Sequence, residues 1–345
     1  MARGDYAPRY VERELTAPAN LCDAGGRLDP SAVGWSRRPL VRANLSGSWP
    51  RKKRWNFWNW ISPELVLSLT LADVDYGAFC SVAFHDLETG DAVRHTWLGL
   101  PGRVGLPERV EESVAFEGGG ISYAHVDRGA HGIEVALAAR GRGGPEIAAE
   151  LAILRGERDE SLNVVVPWSA RRFQLNSKHA ALPCAGVVRV GARRIALDPA
   201  RCHAVQDWGR GVWPYRSFWN WGVCTGEQDG VRIGVNMGAK WTTGTGSNEN
   251  GILIDGRLHK VMEDLRWDYA PGDWRKPWRV RAELSGAIDL TLEPRHPQIT
   301  KLDLGLLATG GVCCFGRWSG RITVDGGVLE VRDLLGWAEE FSHRW

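Results

Sequence analysis

Phe57-Trp58-Asn59-Trp60 recurs as Phe218-Trp219-Asn220-Trp221, 161 residues further along a chain of 345. Four identical residues, two of them tryptophans, seldom coincide, and the stretches that follow also match in order. LVLSLTL (65–71) corresponds to VRIGVNM (231–237), CSVAFHD (80–86) to NGILIDG (250–256), and HGIEVALAARGRGGPEIAAELAI (131–153) to PWRVRAELSGAIDLTLEP (277–294). Each alternates apolar and polar residues with period two at strand length, and Gly, Asp-Gly and Asn-Gly stand between them as hairpin signals. Helical periodicity is nearly absent; residues 328–341 (VLEVRDLLGWAEEF) fit either one short helix or a terminal strand with a turn. The pattern predicts an all-β chain of two tandem antiparallel β-barrels from an internal duplication, at 45–204 and 205–345.

Residues 1–44 differ. Pro8, Pro18, Pro30 and Pro39 forbid a long helix, and Leu21, Leu28, Val33, Trp35 and Leu40 give the segment something to bury, so an irregular N-terminal arm laid over the main body is expected.

Charge is balanced, with 43 Lys+Arg against 41 Asp+Glu. Residues 1–54 hold 11 Arg/Lys and 5 Asp/Glu, leaving the remainder slightly acidic. The run Arg51-Lys52-Lys53-Arg54 reads as a solvated rim or an anchor for acidic partners, and nucleic acid is not expected as a partner. No stretch is apolar for the roughly 18 residues a membrane helix requires, and no secretion signal opens the chain, so a cytoplasmic location is the default expectation. Seven cysteines lack CxxC spacing, and no His/carboxylate cluster has metal spacing, so neither a metal nor a redox cofactor is called for. Tryptophan is the compositional anomaly, at 18 residues. Rings of this size concentrate where a bulky apolar object is buried or a stacking surface is presented.

Alternation places Trp58 and Trp60 on one face of their strand, and Trp219 and Trp221 on one face of theirs. Such a double-indole wall either plugs a barrel or lines a ligand cavity. The segment His203-Ala204-Val205-Gln206-Asp207-Trp208-Gly209-Arg210-Gly211-Val212-Trp213-Pro214-Tyr215 is the best candidate for chemistry. Extended, it puts His203, Val205 and Asp207 on one face. Asp207 is either a strap across a barrel mouth, paired with Arg210, or a desolvated general acid that His203 orients. Trp213, Tyr215 and Arg210 complete the candidate ligand-binding set.

Leu21-Cys22-Asp23 with Gly26-Arg27-Leu28, Gly34-Trp35-Ser36-Arg37 with Pro39, Arg51-Lys52-Lys53-Arg54-Trp55-Asn56-Phe57-Trp58, and Asp207-Trp208-Gly209-Arg210-Gly211 together resemble the bacterial family known as domain of unknown function 2804. More distantly, Asp207, Gly211, Pro214, Phe218, Trp219 and Trp221 are similar to the lipocalin-like superfamily of carotenoid 1,2-hydratases and hydroxyneurosporene synthases. That resemblance implies two lipocalin-like barrels holding a long apolar molecule where they meet, without a redox cofactor. The expected function is binding of an isoprenoid, polyene or fatty-acid-like molecule. One alternative is a cofactor-independent hydratase, isomerase or cyclase with Asp207 as acid. Another is carbohydrate binding on exposed tryptophans. Nothing in the sequence speaks to the oligomeric state.

Overall fold

A computed structural model describes residues 10–142 and 144–345; the first nine residues of the expected arm, Pro8 among them, lie outside the described residues. The chain is all-β, built as two near-barrel antiparallel sheets behind an irregular arm. Among the described residues, helix is confined to two short 3-10 turns, Pro30–Ala32 and Gly129–His131.

The first sheet is a meander from Lys52–Ile61 through Leu65–Asp73 and Ala78–Asp86 to Ala92–Gly99. A second meander runs from Val114–Gly118 through Ile121–Asp127, Ile133–Ala139 and Ile147–Ile153 to the long strand Arg172–Val190. The strand His203–Val212 joins the two, pairing Arg172–Val190 on one side and Lys52–Ile61 on the other. Arg172–Val190 bends where its register shifts between His179 and Leu182, with Ala181 at φ 55°. Such a bulge lets one strand serve two parts of a curved sheet.

The second sheet repeats this order. Arg216–Gln228 leads a meander through Val231–Ala239, Gly251–Ile254 and Arg257–Lys260. Another climbs from Arg266–Asp268 through Trp278–Arg281, Ile288–Asp303 and Ala308–Val324 to Gly327–Arg344, which pairs Arg216–Gln228. Residues 328–341 are therefore strand, the second of the two forms open to them. Hairpins turn at Asp229-Gly230, Asp255-Gly256 and Asp325-Gly326, where both residues have positive φ, as the twist of a two-residue hairpin demands. Asn250-Gly251 makes no such turn: Asn250 is buried and its side chain accepts from Gly238 N.

Sheet membership changes between Val212 and Arg216, so the strand bearing Asp207 belongs to the first sheet, although a boundary at 204/205 groups it with the second.

Each sheet encloses its own apolar cluster. A third, rich in indoles, fills the space between the sheets. A fourth lies under the arm, where Leu21 and Leu28 are buried and pack with Phe173 and Trp208; Trp35 of the arm is buried in the third. Lys260 of the second sheet and Glu12 of the arm form an ion pair at 2.6 Å with both side chains almost wholly enclosed. All seven cysteines are free thiols, and Cys313 alone is not fully buried. Among the described residues no helix is long and apolar enough to cross a membrane.

Candidate functional site between the two sheets

A cavity of about 350 Å³ lies where the outer face of the first sheet meets the second. Trp55, Phe57 and Asn59 reach it from Lys52–Ile61, Ser68 and Thr70 from the adjacent strand, and Phe79 and His85 from the next. Across from them stand Trp219 and Trp221, with Phe315, Glu339, Phe341 and His343. Trp213, Trp241 and Trp345 close one side, Trp213 lying 5.7 Å from Trp241 and 5.5 Å from Trp345 between ring centroids.

The two copies of the tetrapeptide face the cavity differently. Trp58 and Trp60 have no exposure, stack on each other at 5.8 Å and belong to the interior cluster of the first sheet. They fill the interior of the first sheet and do not line the cavity. In the second copy Trp219 and Trp221 do line it, while Asn220 is fully buried and donates to Glu339 O. A face is set by a strand's register, and a one-residue offset exchanges the two faces.

Asp207 faces the cavity, but its partner is not Arg210. Lys178, on the neighbouring strand at the paired position, comes within 3.0 Å of Asp207 Oδ1, and Trp55 Nε1 donates to Oδ2 at 3.1 Å. The alternation that turns Asp207 toward the cavity turns Arg210 away from it. There Arg210 is buried against the Trp208 ring at 3.8 Å and donates to the carbonyls of Pro107, Trp55 and Gly209 and to Asn56 Oδ1. Burial and the nearby Arg54 press its pKa down. His203 is buried without touching the cavity, its Nε2 has no partner, and burial holds its pKa at about 4. It does not orient Asp207. Tyr215 also lies off the cavity, donating to Leu306 O under the Arg51 guanidinium.

Two glycines make room for this arrangement. A Cβ on Gly209 would fall 2.1 Å from the Trp55 ring, and one on Gly238 would fall 2.3 Å from Glu249 Cγ. The Asp-Trp-Gly-Arg-Gly run thus combines a cavity carboxylate, a buried cation on its own indole and a gap for the indole that holds that carboxylate.

Three residues that the sequence reading did not single out complete the polar end. Lys178 also pairs with Glu249 at 3.1 Å and lies 4.0 Å from the Trp221 ring centroid. Burial acts to lower the Lys178 pKa, but Asp207 and Glu249 together raise it above the usual lysine value. Glu249 accepts from Trp241 Nε1 at 2.7 Å, and burial pushes its pKa up against the pull of Lys178. Glu339 accepts from Trp219 Nε1 at 2.7 Å. Burial raises its pKa to about 8, opposed by the Trp219 bond and by Lys178. Each of the three carboxyl groups is therefore held by an indole N–H, and the raised pKa of Glu339 favours its protonated form. His85 and His343 have pKa values pushed down to about 4 by burial, so both are neutral imidazoles there. Among the described residues no group of His, Cys, Asp and Glu is placed to hold a metal ion.

The hidden partners had weak signals. Lys178 lies in a 19-residue strand of which only the end, GVVRV, shows a strand pattern, and Glu249 directly follows the Gly-rich stretch Gly244–Asn248. Glu339 sits in the one segment where helix and strand both fit.

Solved structures with this fold include a candidate AttH protein from Nitrosomonas europaea, at TM-score 0.52 and 13% identity over 86% of this chain and 93% of that one. Kievitone hydratase from Nectria haematococca aligns at TM-score 0.49 and 13% identity over 98% of both chains. CghA bound to Sch210972 aligns at TM-score 0.44 and 10% identity over 86% of this chain and 89% of that one. No curated protein sequence matches. The profile described as "Domain of unknown function (DUF2804)" matches residues 12–345, nearly the entire length, and the chain belongs to that family.

Proposed function

We propose that the protein binds a largely apolar small molecule in the cavity between its two sheets. The observation that carries this reading is an aromatic-walled space of about 350 Å³ with its polar groups gathered around Lys178. That volume is within the range of small-molecule sites, which combine apolar walls with a few converging polar groups. Burying roughly 300 Å² of apolar ligand surface is worth about 7 kcal/mol, or micromolar affinity before ordering costs. Titrating tryptophan fluorescence with a polyene, a fatty acid and an isoprenoid alcohol should give saturable quenching for at least one. A flat response to all three would remove the reading.

Glu339 favours a second reading, in which the bound molecule also accepts a proton. The Glu339 carboxylic acid gives its proton to an alkene carbon of the ligand. The π pair forms the new C–H bond, Glu339 becomes a carboxylate and the carbon skeleton becomes a cation. The faces of Trp219 and Trp221 stabilise that cation. Water addition, with the extra proton of the water passing to the Glu339 carboxylate, completes hydration; loss of a different proton of the cation to Asp207 completes isomerisation. Asp207 is here the acceptor, and Glu339 replaces it as donor. Glu339→Gln should abolish turnover of a converted ligand while leaving its affinity within about threefold; unchanged turnover would return the acid role to another group.

Carbohydrate recognition on the two Trp-Asn-Trp strands finds no support: Trp58 and Trp60 have no exposure, Trp221 is buried and Trp219 faces the cavity.

A further inference from the structure

Exposed large apolar side chains are unevenly distributed. Ile299, Leu302, Leu304 and Leu306 are 70%, 51%, 66% and 80% exposed, all around one hairpin between Ile288–Asp303 and Ala308–Val324. The tip is shaped: Leu304 N donates to Leu307 O at 2.8 Å, and Gly305 takes the positive φ of 78° that the turn requires. Its leucines project from an ordered β-turn.

Register ties this tip to the cavity mouth. Thr300 and Thr309 line the cavity, and Leu302 stands directly opposite Thr309, one step further out on the same face. On the first sheet Phe79 lines the cavity, and Leu98, 77% exposed, is its cross-strand partner. The two ends meet where Arg51 of the first half donates to Trp345 O of the second, with Trp345 in the cavity wall. The mouth is thus rimmed by leucines from both sheets.

Cations surround the same rim. Arg216 pairs in register with Arg344, which in turn pairs with Ala308 at the base of the hairpin, and Arg51 lies over the Tyr215 ring. Arg344 is neutralised by Asp303 and Lys52 by Asp75. Arg51 is already engaged by Trp345 O and the Tyr215 ring, whereas Arg216 and Lys301 are exposed and form no ion pair among the described residues. An exposed apolar tip backed by uncompensated cations matches the profile of an anionic lipid surface, with hydrocarbon below and phosphate above. An acidic protein would satisfy the cations but not four separately projecting aliphatic side chains.

We propose that the leucine-tipped hairpin Asp303–Ala308 and the exposed cations Arg216 and Lys301 beside it dock the protein on anionic lipid bilayers, with the cavity mouth facing the membrane. This stands apart from the ligand reading, since docking needs the rim and not the cavity.

The test is co-sedimentation of the full chain with phosphatidylcholine vesicles, with and without roughly 30 mol% phosphatidylglycerol. The wild type should bind the anionic vesicles at least tenfold more tightly than the neutral ones. Leu304→Asp/Leu306→Asp and Arg216→Glu/Lys301→Glu should each weaken that binding by about tenfold or more, with unchanged circular dichroism and melting temperature. All these positions but Arg216 lie on the exposed hairpin, and Arg216 is itself exposed, so folding is not at stake. Wild type that ignores both vesicles, or binding that survives the leucine substitutions, overturns the proposal. So does a wild-type dimer on gel filtration that becomes monomeric in the leucine variant, which would assign the tip to a second copy. Quenching by an apolar ligand in the leucine variant, measured without vesicles, keeps the two failures separate.

Discussion

Glu339 is a carboxyl group whose surroundings can be read as a stability statement. Its folded pKa stands at about 8 against an ordinary 4.5, because burial outweighs the Trp219 hydrogen bond and the Lys178 charge. In the window between those values the native state holds a proton that the unfolded chain has released, so stability falls as pH rises. The loss begins near pH 4.5 and is complete above pH 8. Each pKa unit corresponds to about 1.4 kcal/mol, and because the group touches the cavity a net effect of about 2–4 kcal/mol is expected. Glu339→Gln cannot titrate. Its melting temperature should match the wild type near pH 5 and exceed it at pH 9, and thermal unfolding across that range checks this directly. Parallel curves would mean that Glu339 is ionised in the native protein at neutral pH.

At the scale of the strand, one tetrapeptide does two jobs. In Lys52–Ile61 the even positions Trp58 and Trp60 fill the first barrel, and the odd positions Phe57 and Asn59 meet the cavity between the sheets. In Arg216–Gln228 it is Trp219 and Trp221 that meet it. Neighbours on one strand should therefore separate stability from binding. Trp58→Ala should cost about 3–5 kcal/mol by denaturant unfolding, since it empties a site closed on every side. Phe57→Ala, half-buried at the cavity, should cost roughly 1–2 kcal/mol but weaken ligand binding about tenfold by fluorescence titration. Equal effects of both on affinity would contradict the assignment of faces. The period-two alternation carried the strands, the hairpins and the double-sheet class, because side-chain period follows from backbone pleat. It also placed Asp207 and Arg210 on opposite faces, so their pairing was already disfavoured by the pattern that defined the strand. What alternation leaves open is which face of a doubly covered strand looks toward its own barrel and which toward the other sheet. Both faces of Lys52–Ile61 mix indoles with asparagine and cationic residues, and both hold fully buried positions, so neither is marked as the side that looks into its own barrel. Lys178, Glu249 and Glu339 were hidden for a related reason: they converge from three segments, separated by 71 and 90 residues, only once the sheets pack.

At the scale of the molecule, the arm crosses from one sheet to the other and is fastened by charge as well as by apolar contact. Leu21 and Leu28 cover Phe173 and Trp208 of the first sheet, while Glu12 is locked on Lys260 and Tyr10 donates to Asp264 of the second half. Burial lowers the Lys260 pKa even with Glu12 beside it. Taking Glu12 away leaves a desolvated ammonium with its nearest counter-charge gone, a situation that costs about 3–5 kcal/mol. Glu12→Ala should destabilise by that amount near neutral pH, whereas Glu12→Leu/Lys260→Met should recover most of the loss, because the cost lies in the stranded charge. The pH dependence follows in sign. A lysine whose folded pKa is depressed makes the native state lose its proton before the unfolded chain does, so stability climbs as pH passes from the folded value toward 10.5. The deficit of Glu12→Ala should therefore shrink in alkaline buffer. If instead it persists unchanged at pH 10 and the double variant is no better than the single one, the arm is held by its apolar contacts, and the ion pair contributes only registration between the two halves.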